Sequence, residues 1–200
     1  MLDTIKDIQA DRILHLAVHV HNAFANNPAS FVNPRANPAA NNLVNLGHTL
    51  RSAGIQTHCA LLADHAGNES IDEAYGGVFE PLKTSKLFNS YSRGYMASCF
   101  GDYSLRGYIS PEKYDVLIIT GFNRSMCAGE TALDAIKEGY KVIMPLDCCE
   151  DYVSKWTRND IITVEQLEEA GVILCQSGDI YNALEIKEIK PDLGLKAVPA

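Results

Sequence analysis

The sequence predicts an α/β fold: a three-layer, Rossmann-like parallel sheet with helices on both faces. Three observations predict it. Strand-length apolar runs alternate with helix-length amphipathic segments. The clearest run, Tyr114 to Thr120, has the continuous apolar character of a strand covered on both faces. Glycines at Gly54, Gly139 and Gly171 close helical segments just before the next strand begins. Such alternation implies βαβ units with right-handed crossovers.

The elements follow in order. Ile13 to Val20 reads as a buried strand interrupted by His15 and His19. Asn26 to Asn42 holds Pro28, Pro34 and Pro38 and predicts an irregular loop. Asn41 or Asn42 can cap a helix running to about Ser52, with Leu43, Leu46 and Leu50 on one face. Gln56 to Leu62 is the second strand. Residues 63–77 are polar and read as loop, and Val78 to Pro81 as a short strand. From Ser90 to Phe100 the spacing of Tyr91, Tyr95 and Cys99 predicts a helix. After Thr120, Gly121 to Met126 is a turn and Ala128 to Glu138 a helix. Lys141 to Leu146 is a strand, Thr163 caps a helix ending at Gly171, and Val172 to Cys175 is the last core strand. Asp179 to Leu184 is a short helix before a loose tail.

Two hundred residues suit a single domain, 1–200. The net charge of -8, without a basic cluster, argues against nucleic acid or an anionic membrane as partner. No secretory leader is evident, and no apolar run reaches the roughly 18 residues that a membrane span needs. The six cysteines show neither zinc spacing nor a disulfide framework, so the expected setting is cytoplasmic, with reduced thiols. No cofactor is expected.

Cys127 is the residue most able to do chemistry. It follows a buried strand and a turn and opens a helix, where unpaired N–H groups and the positive end of the helix dipole favour thiolate. The same position fits a structural cysteine, and Glu130 works against ionisation. The N–H groups of Met126 and Cys127 are candidates for an oxyanion hole. Ligands of parallel sheets bind beyond the carboxyl ends of the strands, which points to the loops after His19, Leu62, Thr120 and Leu146.

The run Gly121-Phe122-Asn123-Arg124-Ser125-Met126-Cys127-Ala128-Gly129-Glu130-Thr131-Ala132 continues through Asp134-Ala135, Gly139-Tyr140-Lys141-Val142 and Asp147-Cys148. It resembles the signature of the isochorismatase-like cysteine hydrolase superfamily. Most of residues 12–186 share the likeness. The resemblance implies hydrolysis of a C–N bond in a small amide or ureido compound by a Cys, Asp, Lys triad. It also implies a homo-oligomer, commonly a dimer or tetramer. Lys86, four before Ser90, is the implied lysine, with Lys83 second.

Strand one departs from the pattern. Aligning Asn22-Ala23-Phe24 on the family's Asn-Asp-Phe puts His19 where the resemblance implies the catalytic acid, and His21 at a Gln position. Either His19 serves as the base in a Cys–His arrangement, or the chain binds a small molecule or partner without the ancestral hydrolysis. A move to a related reaction, such as ester or thioester cleavage, is the third possibility. His21, Phe24 and Tyr91 are candidate substrate contacts, although aromatic residues at such spacing are more often core. His58, His65 and Asp64 do not form the family's Asp-x-His pattern, so no metal is expected. Asp147 reads as a cap or supporting residue.

Overall fold

Among the described residues seven strands pair in parallel: β1 (Ile13–Val18), β2 (Gln56–Leu62), β3 (Ser90–Gly94), β4 (Val116–Phe122), β5 (Lys141–Pro145), β6 (Cys149–Glu150) and β7 (Ile173–Cys175). The spatial order is β3-β2-β1-β4-β5-β7, with β6 adding to the far end of β4. The α-helices among the described residues are α1 (Ala36–Ser52), α2 (Tyr103–Arg106), α3 (Gly129–Lys137), α4 (Val164–Glu169) and α5 (Ser177–Ala183). This computed structural model describes residues 2–21, 36–62, 87–94, 96–101, 103–151 and 161–191.

Alternation along β1 explains the three layers. Ile13 and Ala17 face a core with Leu43, Leu46 and Leu50 of α1 and Ile180 of α5. Leu14, Leu16 and Val18 face the other core, with Ala128, Ala132, Ala135 and Leu167. β4 is buried over its whole length, as expected of a strand sandwiched between two helix layers. Among the described residues no helix is long and apolar enough to cross a membrane.

Three expectations need correction. Helix α1 begins at Ala36, not after Asn41 or Asn42. Pro38 lies in its first turn, where the missing N–H had no intrahelical partner to lose. Ser90–Gly94 is a strand rather than a helix, because it completes the open side of β2 in the register His58↔Ser90 to Leu62↔Gly94. Only a short 3-10 turn, Cys99–Gly101, remains of the expected helix. Strand β4 runs two residues past Thr120 and so contains Gly121 and Phe122. Residues 26–35, 63–77 and Val78 to Pro81 lie outside the described residues.

Candidate active site

All strands point the same way, so one edge of the sheet collects their carboxyl ends. There Gly121 of β4 lies opposite Val18 of β1. Gly121 has φ +118, and a Cβ on it would stand 2.1 Å from the Val18 carbonyl oxygen. The Phe122–Asn123 peptide that follows is cis. A single π-helical turn, Arg124–Ala128, then carries Cys127 into α3. The turn is wide because the Ala128 N–H bonds back to the Asn123 carbonyl at 3.0 Å. Gly129 lets the turn close on α3, since a Cβ there would lie 2.5 Å from the Arg124 oxygen.

The turn is held from two sides. Asp151, just past β6, accepts the Ser125 N–H at 2.6 Å and pairs with Arg124 at 2.7 Å. Fully buried Thr131, one turn along α3, donates its hydroxyl to the Cys127 carbonyl at 2.7 Å and accepts the Cys99 N–H at 3.1 Å. Cys99 lines a small recess, about 10 Å³ in volume, together with His19, Ala60, Leu61, Ser92, Gly94, Met96 and Leu105. Thr131 therefore joins the backbone of the cysteine turn to the wall of the recess that contains His19.

His19 is buried, with φ 50, a left-handed conformation. Its N–H bonds to the Ala60 carbonyl and its own carbonyl accepts the His21 N–H, a tight turn that ends β1. Burial, with a smaller contribution from His21, pushes the imidazole down to about 3, so it is neutral at neutral pH. Nδ1 of His19 has no hydrogen-bond partner among the described residues. His21 is fully buried, and its Nε2 accepts the Leu62 N–H at 3.0 Å, tying β1 to β2. The Met126 N–H is engaged with the Asn123 carbonyl at 3.1 Å.

Burial pushes the thiols of Cys59 and Cys148 up, and those of Cys149 and Cys175 up to about 12. Asp147 acts as a brace: its carboxylate accepts the Ser177 N–H and hydroxyl at the start of α5. His58 is held by Ser90 and Ser92. Among the described residues no three His, Cys, Asp or Glu side chains group closely enough to hold a metal ion.

Lys83, Lys86, Phe24, His65 and Asp64 lie outside the described residues, and of Tyr91 only the backbone, in β3, is described. The sequence reading missed Asp151, Thr131 and Ser92. Asp151 lies 26 residues from the N–H it accepts, and no local pattern reports such a pairing. Ser92 was legible in principle: Ser90, Ser92 and Gly94 share the period of two that marks one face of a strand.

The isochorismatase domain model matches residues 14–175. The chain belongs to the isochorismatase family. Solved structures share the fold of this family hydrolase at low sequence identity. An isochorismatase-like hydrolase from Alkaliphilus metalliredigens superposes with TM-score 0.65 at 19% identity, over 86% of this chain and 98% of that one. Nicotinamidase/pyrazinamidase PncA from Bacillus subtilis gives 0.62 at 15%, over 82% and 100%. The YcaC gene product from Escherichia coli, an octameric hydrolase of unknown specificity, gives 0.70 at 18%, over 89% and 81%. No curated protein matches the sequence.

The Thr131 link gives a direct expectation. Thr131→Val removes the acceptor of the buried Cys99 N–H, at about 1–3 kcal/mol, and takes away the hydroxyl bond to the Cys127 carbonyl. Thr131→Ser retains both bonds. The valine variant should melt well below wild type and alkylate Cys127 abnormally, and the serine variant should restore both. Thermal melts with mass mapping of alkylated peptides decide it, and a valine variant equal to wild type refutes the link.

Proposed function

We propose that this family hydrolase cleaves the C–N bond of a small amide or ureido compound, or a related carbonyl bond, through a covalent adduct on Cys127. The observation that carries the reading is the Thr131 bridge, which fastens the cysteine turn to the recess where His19 lies. Cys127 attacks the carbonyl carbon. Neutral His19 takes the thiol proton as attack proceeds and returns it to the leaving nitrogen. An imidazole held down to about 3 does not store a thiolate–imidazolium pair in the resting enzyme, so the proton moves with the attack. The N–H groups of Met126 and Cys127 are the proposed oxyanion donors, and that of Met126 would exchange its bond to the Asn123 carbonyl, at 3.1 Å, for the oxyanion. Lys86, with Lys83 second, is the proposed cation that polarises the carbonyl. His21, Phe24 and Tyr91 remain proposed substrate contacts, with His21 acting through the backbone it orders. The octameric YcaC product motivates a homo-oligomeric state here as well, tested by light scattering.

The test is Cys127 itself. Cys127→Ala should abolish turnover across an amide and ureide panel while leaving the melting temperature nearly unchanged. In wild type, Cys127 should alkylate faster than Cys59, Cys148, Cys149 and Cys175, and more slowly in His19→Ala. Full activity of Cys127→Ala would end the proposal. Slow alkylation that rises only near the free-thiol value of about 8.5, with no turnover, would favour ligand binding without hydrolysis.

A further inference from the structure

Ser125 lies two residues before Cys127 on the same turn and is buried. Both of its backbone groups are held from outside the turn. Its N–H donates to Asp151 Oδ1 at 2.6 Å, and its carbonyl accepts the Ile162 N–H at 3.0 Å. The Ile162 side chain packs into the same corner, 3.2 Å from where a Cβ on Gly129 would stand. The second carboxylate oxygen of Asp151 accepts from Arg124 Nη2 at 2.7 Å. One carboxylate therefore holds the backbone of residue 125 and the side chain of residue 124, with Arg124 31% and Asp151 25% exposed.

A bond from a backbone N–H to a charged acceptor is stronger than a neutral one and fixes geometry. The charges of the pair also reach thiols at this end of the sheet. Burial chiefly holds the Cys149 thiol up, but Arg124 draws it down while Asp147 and Asp151 push it up. Cys127 shares its turn with Arg124. We propose, on the reading of Cys127 as the nucleophile, that Asp151 is a positioning residue for it and that the Arg124–Asp151 pair balances the charge felt by its sulfur. Asp151 fixes the path of the turn through Ser125. A carboxylate alone would disfavour thiolate, and a guanidinium alone would favour it. Paired, they leave ionisation to the N–H groups of the turn. Of the elements packed against the turn, β4 carries no titratable group, α3 carries Glu130, Asp134 and Lys137, and β6 carries Cys149 and Glu150. His19 lies in the recess beyond. None of these changes in the variants below, so their contributions cancel in the comparison.

The pH profile of Cys127 alkylation by iodoacetamide, read by mass mapping of the full-length protein, separates charge from position. Asp151→Asn keeps an oxygen for the Ser125 N–H but leaves Arg124 unbalanced. Its midpoint should fall by about half a pH unit, the effect of one partly screened charge. Arg124→Gln leaves the carboxylate unbalanced and should raise the midpoint by about as much. The double variant should return to the wild-type midpoint. Asp151→Ala also removes the acceptor, and its high-pH plateau rate should depart severalfold from that of Asp151→Asn, which stays at the wild-type plateau. Asp151→Glu keeps the charge and displaces the oxygens by one methylene, and carries that comparison if the alanine variant does not fold. Midpoints that do not move, or that move with the same sign in Asp151→Asn and Arg124→Gln, overturn the proposal. So does a wild-type plateau in the variant that removes or displaces the acceptor. Turnover by wild type and Cys127→Ala tests the hydrolase reading separately. Opposite shifts without turnover on any amide or ureide would keep the role of the pair and sink that reading.

Discussion

Replacing Gly121 by alanine should cost the protein about 3–5 kcal/mol, the sum of a strained backbone and an overpacked contact. The added Cβ would stand 2.1 Å from the Val18 oxygen and 2.8 Å from the Val18 nitrogen, both backbone atoms that cannot rotate away. The glycine also sits at φ +118, which an L side chain rarely adopts. Relief requires β4 to part from β1 at their carboxyl ends, where Val18 pairs with Gly121. The Arg124–Ala128 turn follows three residues later, so Cys127 would move with it. A chain of this size should lose about 10–15 °C in melting temperature. Cys127 alkylation should change in the material that still folds. A Gly121→Ala protein that melts with wild type would show that the two strand ends can separate freely.

Acid should unfold the protein steeply. Burial pushes His15 and His19 down to about 3 and His58 down to about 4, while an unfolded chain holds histidine near 6.5. Above pH 6.5 neither state binds these protons and the contribution to stability is complete. As pH falls below 6.5 the unfolded chain takes up protons that the folded chain refuses, so stability is lost. Each histidine removes up to about 1.4 kcal/mol per pH unit until its folded value is reached. Three together approach about 4 kcal/mol per pH unit, which exhausts the usual 5–15 kcal/mol of a domain within a few units. The guanidinium midpoint should be flat from pH 7 to 8 and fall sharply between pH 6 and about 4.5. A midpoint unchanged from pH 7 to 5 would mean that these imidazoles find protons, or water, inside the fold.

Much of the scaffold was legible in the sequence because burial on both faces leaves a local mark. The apolar run through Ile118 and Ile119 could hardly be anything but a central strand. The fold class and family followed from that alternation and from the spacing around Cys127. Errors came where two local signals competed. Pro38 reads as a loop residue until one sees that a helix's first turn asks nothing of its N–H. Ser90 to Gly94 carries aromatic spacing that fits a helix and serine spacing that fits a strand. Only the vacant side of β2, a non-local fact, decides between them. The support of the candidate site was least legible. Asp151 on Ser125 and Thr131 between Cys127 and Cys99 are pairings across 26 and 32 residues, and each depends on a turn whose shape no propensity encodes.

The left-handed backbone at His19 also bears on how this site arose and can be altered. Few residues tolerate φ near 50, and besides glycine they are chiefly asparagine, aspartate and histidine. The acid that family likeness implies at this position and the imidazole found there both belong to that short set. An aspartate at position 19 would leave the chain path at the end of β1 undisturbed. His19→Asp should therefore fold, whereas His19→Val, branched at the β-carbon, should not fold well. A His19→Asp protein that gains activity on simple amides would tie substrate preference to position 19.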